Sequence, residues 1–180
     1  MDQVASQSIV ACIVNGGARS NTAAQLSDRV TALFREHGAK AETIVVDHGR
    51  ELTPIAQRYA EDGCRTIVAA GGDGTVNAVA SALVGTQAAL GVIPLGTLNH
   101  FAKDAGIPLD LDAAVDTVIN GTTKLVDVGE LNGRIFINNS SIGLYPAIVL
   151  ERSEHQRRGM KKWLAFARAM YTVMRRAPSF

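Results

Sequence analysis

Three short apolar runs in this chain each end in a cluster of glycine and turn residues, and a stretch of different character follows each cluster. Ser8–Val14 runs into Asn15-Gly16-Gly17, Thr66–Ala70 into Gly71-Gly72-Asp73-Gly74, and Ala88–Ile93 into Pro94-Leu95-Gly96. A run of apolar residues without alternation is a strand buried on both faces, the kind that builds parallel sheets. Parallel strands need crossover connections, which are right-handed and usually helical. The pattern therefore predicts an α/β domain in which every glycine joint lies at the carboxyl end of a strand. Open parallel sheets bind their ligands there.

The remaining elements follow from periodicity. Leu26, Val30, Leu33 and Phe34 share one face of a helix predicted over 22–37 and ended by Gly38. A strand is predicted at Ala41–Val46, and a helix at Leu52–Ala60 that tolerates Pro54 in its first turn and is closed by Gly63. Val76–Leu83 reads as a helix, Ala102 and Lys103 as part of a short one, and Asp112–Ile119 as another. Beyond about residue 122 the pattern changes. Lys124–Glu130 and Arg134–Asn139 flank Asn132-Gly133, a hairpin signal. The domain expectation is a three-layer, Rossmann-like α/β unit over 1–122, followed over 123–180 by the start of a β-rich second domain with a basic amphipathic helix at 159–176. The sequence stops at Pro178-Ser179-Phe180 before a second sheet is complete, so a piece of a longer protein is expected.

Glycine weakens the strand and helix that it interrupts, so the joint at 71–75 asks for a reason. Bare backbone can aim several N–H groups into one concavity, and a helix that starts there adds its own free N–H groups and a partial positive charge. That combination suits phosphate. Thr75 either caps the helix or donates to a phosphate oxygen. Asp73 repels phosphate and makes sense against a hydroxyl, a ribose or a Mg²⁺ ion that bridges phosphates. An ordinary Gly-Asp turn with a threonine cap would explain one such joint, but several occur together. The spacing is neither Gly-x-Gly-x-x-Gly nor Gly-x-x-x-x-Gly-Lys-Ser/Thr, and no lysine sits in the loop.

Composition narrows the classes. Cys12 and Cys64 are scattered, which argues against a disulfide framework and points to a reduced, intracellular setting. No basic segment precedes an apolar one at the start, so no signal peptide is read, and no run is long enough to span a bilayer. Basic and aromatic residues do not interleave as on a nucleic-acid surface. The net charge of +1 conceals an asymmetry: residues 1–150 hold 10 basic and 15 acidic side chains, whereas residues 151–180 hold 8 and 2. That basic end either meets an anionic surface or is the wet face of a helix. Its apolar face gives a homodimer as a further expectation.

At this point the residues resemble a family. "GGDGTVNAV" at 71–79 with "PLGTLNHFAKD" at 94–104 is similar to the diacylglycerol kinase catalytic domain, above all to the soluble bacterial lipid kinases related to sphingosine and ceramide kinases. Asn15-Gly16-Gly17 resembles the family's first nucleotide-loop motif, and "FINNSSIGLYP" at 136–146 resembles the entry to its second domain. NAD kinases and phosphofructokinases share Gly-Gly-Asp-Gly-Thr, so a soluble acceptor such as NAD is the alternative, and a nucleotide-binding module without catalysis is a third reading. The resemblance implies ATP and Mg²⁺ as cofactors. It implies a lipid acceptor at an anionic membrane surface, and a cytoplasmic enzyme peripheral to the inner face of the membrane. Carried over residue by residue, Asn15, Gly16, Gly17, Gly71, Gly72, Asp73, Gly74 and Thr75 line the nucleotide phosphates, with Asp73 towards the metal. Gly96, Thr97 and Asn99 form the facing loop.

The chain departs from the family pattern in three places. Gly16 replaces a proline, Ala78 a glutamate and His100 an aspartate. His100 is either a phosphate contact or base, or a loop residue packed on Phe101. The family's late Gly-Asp-Gly-Glu-like segment, which carries its general base, has no match after residue 146, where the only carboxylates are Glu151 and Glu154. No catalytic base is assigned. His37, His48 and His155 show no metal-ligand spacing, Trp163 is read as a packing residue, and Asp127 and Asn138 are read as structural hydrogen-bonding groups.

Overall fold

The computed structural model describes residues 10–17 and 20–138. Four strands, β1 (Val10–Asn15), β2 (Ala41–Val46), β3 (Thr66–Gly71) and β4 (Ala89–Pro94), form one parallel sheet in the order β2-β1-β3-β4. Five helices accompany them: α1 (Ser20–Glu36), α2 (Leu52–Glu61), α3 (Asp73–Leu83), α4 (His100–Asp104) and α5 (Leu111–Asn120). A second, antiparallel sheet is the hairpin β5 (Gly129–Leu131) and β6 (Arg134–Phe136).

Strand period explains the layers. In β1, Ala11 and Ile13 face one side of the sheet and Cys12 and Val14 the other; in β3, Ile67 and Ala69 oppose Val68 and Ala70. All eight are fully buried. One side is covered by Leu52 and Ala56 of α2, Val76, Val79 and Leu83 of α3, and Ala102 of α4. The other is covered by Val30, Leu33 and Phe34 of α1 and Val115 of α5. Helices on both faces leave no wet side for these strands, which is why their sequences do not alternate. Cys12 sits in this core, and burial pushes its thiol up to about 12, so it stays protonated and inert.

Helix ends follow local chemistry. Gly38 and Gly63 adopt φ of 77° and 83° just past α1 and α2, the left-handed closure expected of them. Asp110 caps α5 by accepting the Ala113 N–H at 3.1 Å. Asn132 and Gly133 take φ of 51° and 74°, which makes the two-residue turn of the hairpin.

Two expectations need correction. The helix after β3 begins at Asp73, not at Val76, so Asp73, Gly74 and Thr75 form its first turn rather than a loop. The strand expected over Lys124–Glu130 is only Gly129–Leu131. Residues 122–128 lack regular structure, and Leu125 and Val126 are exposed. An apolar segment needs a partner strand to become one, and β6 pairs only as far as Gly129. The basic helix expected at 159–176, residues 139–146 of the 136–146 segment, Ser8 and Ile9 lie outside the described residues.

The topology reverses at β1. The chain leaves β1 towards β2 on one side and returns to place β3 on the other. The carboxyl ends of β1 and β3 therefore flank a switch point, where the connecting helices diverge and a crevice opens. Asn15 and Gly71 end those two strands.

Candidate functional site

The joint between β3 and α3 is built for space rather than for unusual dihedral angles. Of the glycines expected in the site, only Gly17 has positive φ, at 53°. Gly72 is the N-cap of α3 in extended conformation, and its carbonyl accepts the N–H groups of Thr75 and Val76 at 2.9 and 3.1 Å. A Cβ on Gly71 would lie 2.6 Å from Cβ of Thr75. A Cβ on Gly72 would lie 3.3 Å from Cα of Gly96, and one on Gly96 would lie 2.7 Å from Oδ1 of Asn99. A Cβ on Gly16 would lie 3.1 Å from Cβ of Ala23. These four glycines let backbone pack on its neighbours.

Gly74 is different. Its φ is not positive, and among the described residues nothing lies within 4 Å of where its Cβ would be. Glycine inside a helix costs about 1 kcal/mol relative to alanine, and no packing or dihedral need in the fold offsets that cost here. The N–H groups of Gly72, Asp73 and Gly74 have no acceptor among the described residues, as the first turn of a helix dictates. Bare backbone, free donors and a partial positive charge therefore coincide at one exposed point beside the switch point.

The polar side chains of the site hold the loops in place. Asn15 Nδ2 donates to Thr75 Oγ1 at 2.8 Å, and Asn15 Oδ1 accepts the Gly17 N–H at 3.2 Å. This bond ties the end of β1 to α3 across the crevice. Thr75 is 3% exposed and is the third residue of α3, so it is neither the cap nor open to a ligand. Asn99, in left-handed conformation at φ 50°, folds back on Gly96, donating to its carbonyl and accepting its N–H, each at 2.9 Å. Leu95 N–H donates to the Gly71 carbonyl at 2.9 Å and holds this loop against the first. Thr97 is exposed beside it.

Asp73 has a tertiary partner that its sequence position does not suggest. Its Oδ1 accepts the Phe101 N–H at 3.1 Å and the Asn138 Nδ2 at 3.3 Å. It therefore caps α4, whose own N-cap Asn99 makes no side-chain cap. Partial burial pushes the Asp73 carboxyl up, but the N–H groups of Phe101 and His100, the Asn138 amide and the nearby His100 outweigh it and hold the carboxyl below its ordinary value. A depressed carboxylate contributes stability above its unfolded pKa of about 3.9, and that contribution vanishes as pH falls through the folded value. Urea unfolding of the wild type and Asp73→Asn is thus expected to show a wild-type advantage at pH 7 that shrinks below pH ~4. A constant difference across that range would exclude the charge as its source.

Asn77, one turn beyond Asp73, completes the arrangement and was not singled out as a site residue. Its Nδ2 donates to the Ile135 carbonyl at 3.2 Å and its Oδ1 accepts the Ile137 N–H at 3.1 Å. The available signal was a polar amide one turn after Asp73 on a helix whose other face is apolar. Asn138 has the hydrogen-bonding role expected of it, on Asp73. His37, set aside as a ligand, lies 3.2 Å from Asp112 Oδ1 and 3.5 Å from Asp116 Oδ1 and bridges α1 to α5. Among the described residues no group of three or more His, Cys, Asp or Glu is placed to hold a metal ion. No helix among them is long and apolar enough to cross a membrane.

The sequence model of the diacylglycerol kinase catalytic domain matches residues 10–131, all three strand-end loops included. The chain belongs to that family. Among similar proteins, a probable YegS-like lipid kinase of Cronobacter sakazakii is 35% identical over 147 residues, covering 79% of this chain and 48% of its own length. A diacylglycerol kinase of Bacillus subtilis is 41% identical over 113 residues, covering 61% of this chain and 37% of its own. A solved structure of a putative diacylglycerol kinase from Bacillus anthracis superposes with a TM-score of 0.64 at 25% identity, covering 73% of this chain and 47% of the other. This member of the diacylglycerol kinase catalytic family thus spans less than half the length of these relatives.

Proposed function

We propose that this chain carries the nucleotide-binding part of an ATP-dependent lipid kinase that transfers the γ-phosphate to the hydroxyl of a diacylglycerol-like lipid. Residues 1–122 are the Rossmann-like nucleotide-binding domain, and residues 123–180 open a β-rich second domain. The observation that carries this reading is Gly74, a glycine that nothing among the described residues requires, at the first turn of α3 where three N–H groups lack acceptors among those residues. Phosphates of ATP lie against Gly72, Asp73 and Gly74, with Gly16, Gly17, Gly96 and Thr97 on the flanking loops. Asn15, Thr75 and Asn99 act from behind by holding those loops. Asp73, on the α3 turn, is the carboxylate that would stand towards a Mg²⁺ ion, which would neutralise phosphate charge and be held chiefly by the phosphates. The enzyme works at an anionic membrane surface without spanning it, from the cytoplasmic side.

Phosphoryl transfer is largely a matter of positioning and charge stabilisation, with a base to accept the hydroxyl proton. The first two tasks fit the helix end described above. For the third, no residue of this chain is assigned. Binding without turnover is the second reading for the 180-residue polypeptide. Calorimetry with ATP and Mg²⁺ tests the common part of both readings. Saturable binding with a dissociation constant of about 1 mM or tighter is expected. No heat at several times that concentration would remove both. Radiolabelled phosphate transfer to diacylglycerol micelles and to NAD then separates the acceptors.

A further inference from the structure

β6 is paired with β5 along one edge, through Gly129 with Phe136, Glu130 with Ile135 and Leu131 with Arg134. At its other edge, the carbonyl of Ile135 and the N–H of Ile137 both bond to the side-chain amide of Asn77, at 3.2 and 3.1 Å. A carbonyl at one residue and the N–H two residues on are the pair that a strand presents to a neighbouring strand. The carboxamide has one acceptor oxygen and a donor NH₂, so it satisfies both groups at once. Asn77 thus takes the place of a strand residue at the edge of the hairpin. One turn earlier on α3, Asp73 Oδ1 holds the Nδ2 of Asn138, directly after that edge.

We propose that Asn77 is the positioning residue that fixes the β5–β6 hairpin to α3, with Asp73 as the second point of the clamp, so that phosphate bound at the first turn of α3 and hairpin docking stabilise each other. The coupling follows from the position of the contacts. Gly72–Gly74 offer their N–H groups at the helix end, and residues 73 and 77 grip the hairpin within the same two turns. Ordering the helix end by a ligand restricts the residues that hold the hairpin, and the reverse holds with equal free energy. This second half rests on the nucleotide reading above; the clamp itself does not.

Hydrogen exchange read at the Ile137 amide separates the two. In the full 180-residue chain without nucleotide, Asn77→Asp and Asn77→Ala are both expected to speed exchange at Ile137 about tenfold, the effect of losing one to two hydrogen bonds. Asn77→Asp is the informative variant. Aspartate has the same shape, but at pH 7 it cannot donate to the Ile135 carbonyl, so a residue needed only for packing would tolerate it. Wild-type exchange in Asn77→Asp would overturn the clamp. With saturating ATP and Mg²⁺, Ile137 exchange in the wild type is expected to slow several-fold, and in Asn77→Ala to change little. Calorimetric binding without any slowing would overturn the coupling while leaving the nucleotide reading intact. Absence of binding altogether would overturn the coupling and that reading together, and the apo comparison would still decide the clamp.

Discussion

Gly71→Ala is expected to lower the stability of this protein by about 3 kcal/mol, at the upper end of overpacking costs. Gly71 is the last residue of β3, in the middle of a sheet with helices on both faces. The new methyl carbon would lie 2.6 Å from Cβ of Thr75, and even closer to its hydroxyl. Thr75 cannot swing away, because it is 3% exposed and holds the Asn15 amide at 2.8 Å. Relief requires α3 to move outward, which strains its packing on β3 and breaks the bond that joins β1 to α3. A thermal midpoint about 6 to 12 °C below that of the wild type is expected by calorimetry, and nucleotide binding should fall with it. A change under about 0.5 kcal/mol, the usual range for a neutral surface substitution, would mean that the joint adapts and that the close fit is not what selects glycine.

Gly74→Val is expected to give the opposite split. A Cβ at residue 74 meets nothing within 4 Å among the described residues, and its φ is ordinary for any residue. Valine has better helix propensity than glycine, so the fold should be unchanged or slightly stabilised, within about 0.5 kcal/mol. Binding is another matter. The branched side chain covers the N–H groups of the first turn and holds a phosphate off them. Each bond between such a donor and a charged group is worth about 1.5–3 kcal/mol, so the loss of one or two weakens Mg–ATP by about 10-fold to well over 100-fold. Calorimetric titration beside a thermal melt reads both halves. An unchanged affinity in a fully folded variant would remove Gly74 from the site and with it the main support for the nucleotide reading. Gly72→Val does not serve as this test. Its Cβ would press on Cα of Gly96 at 3.3 Å and force the two loops apart, so lost binding there would report damage to the fold.

The pattern of apolar runs determined the sheet, because a strand covered on both faces must be apolar at every position. Thr66–Ala70 falls one residue short of β3, and Ala41–Val46 matches β2 residue for residue, although that edge strand carries Glu42 and Thr43 and is only partly buried. Gly38, Gly63 and Asn132-Gly133 marked their helix ends and turn for an equally local reason, since the left-handed conformation admits few other residues. The location of the site was also legible, as glycine joints at strand ends can lie only on one edge of a parallel sheet. The role of each residue in it was not. Asp73 reads from its neighbours as a metal or hydroxyl contact; that it also caps α4 across 28 residues of chain is not legible there. Thr75 reads as a cap and is instead buried against Asn15, 60 residues away. Gly72 reads as a ligand contact, and only the folded loops show that it also leaves the space that Gly96 needs. Periodicity and turn chemistry act between residues a few positions apart and are written in order along the chain. Hydrogen-bond partners and close packing depend on which loops the sheet order brings side by side, and the β2-β1-β3-β4 order exists only once the chain has folded.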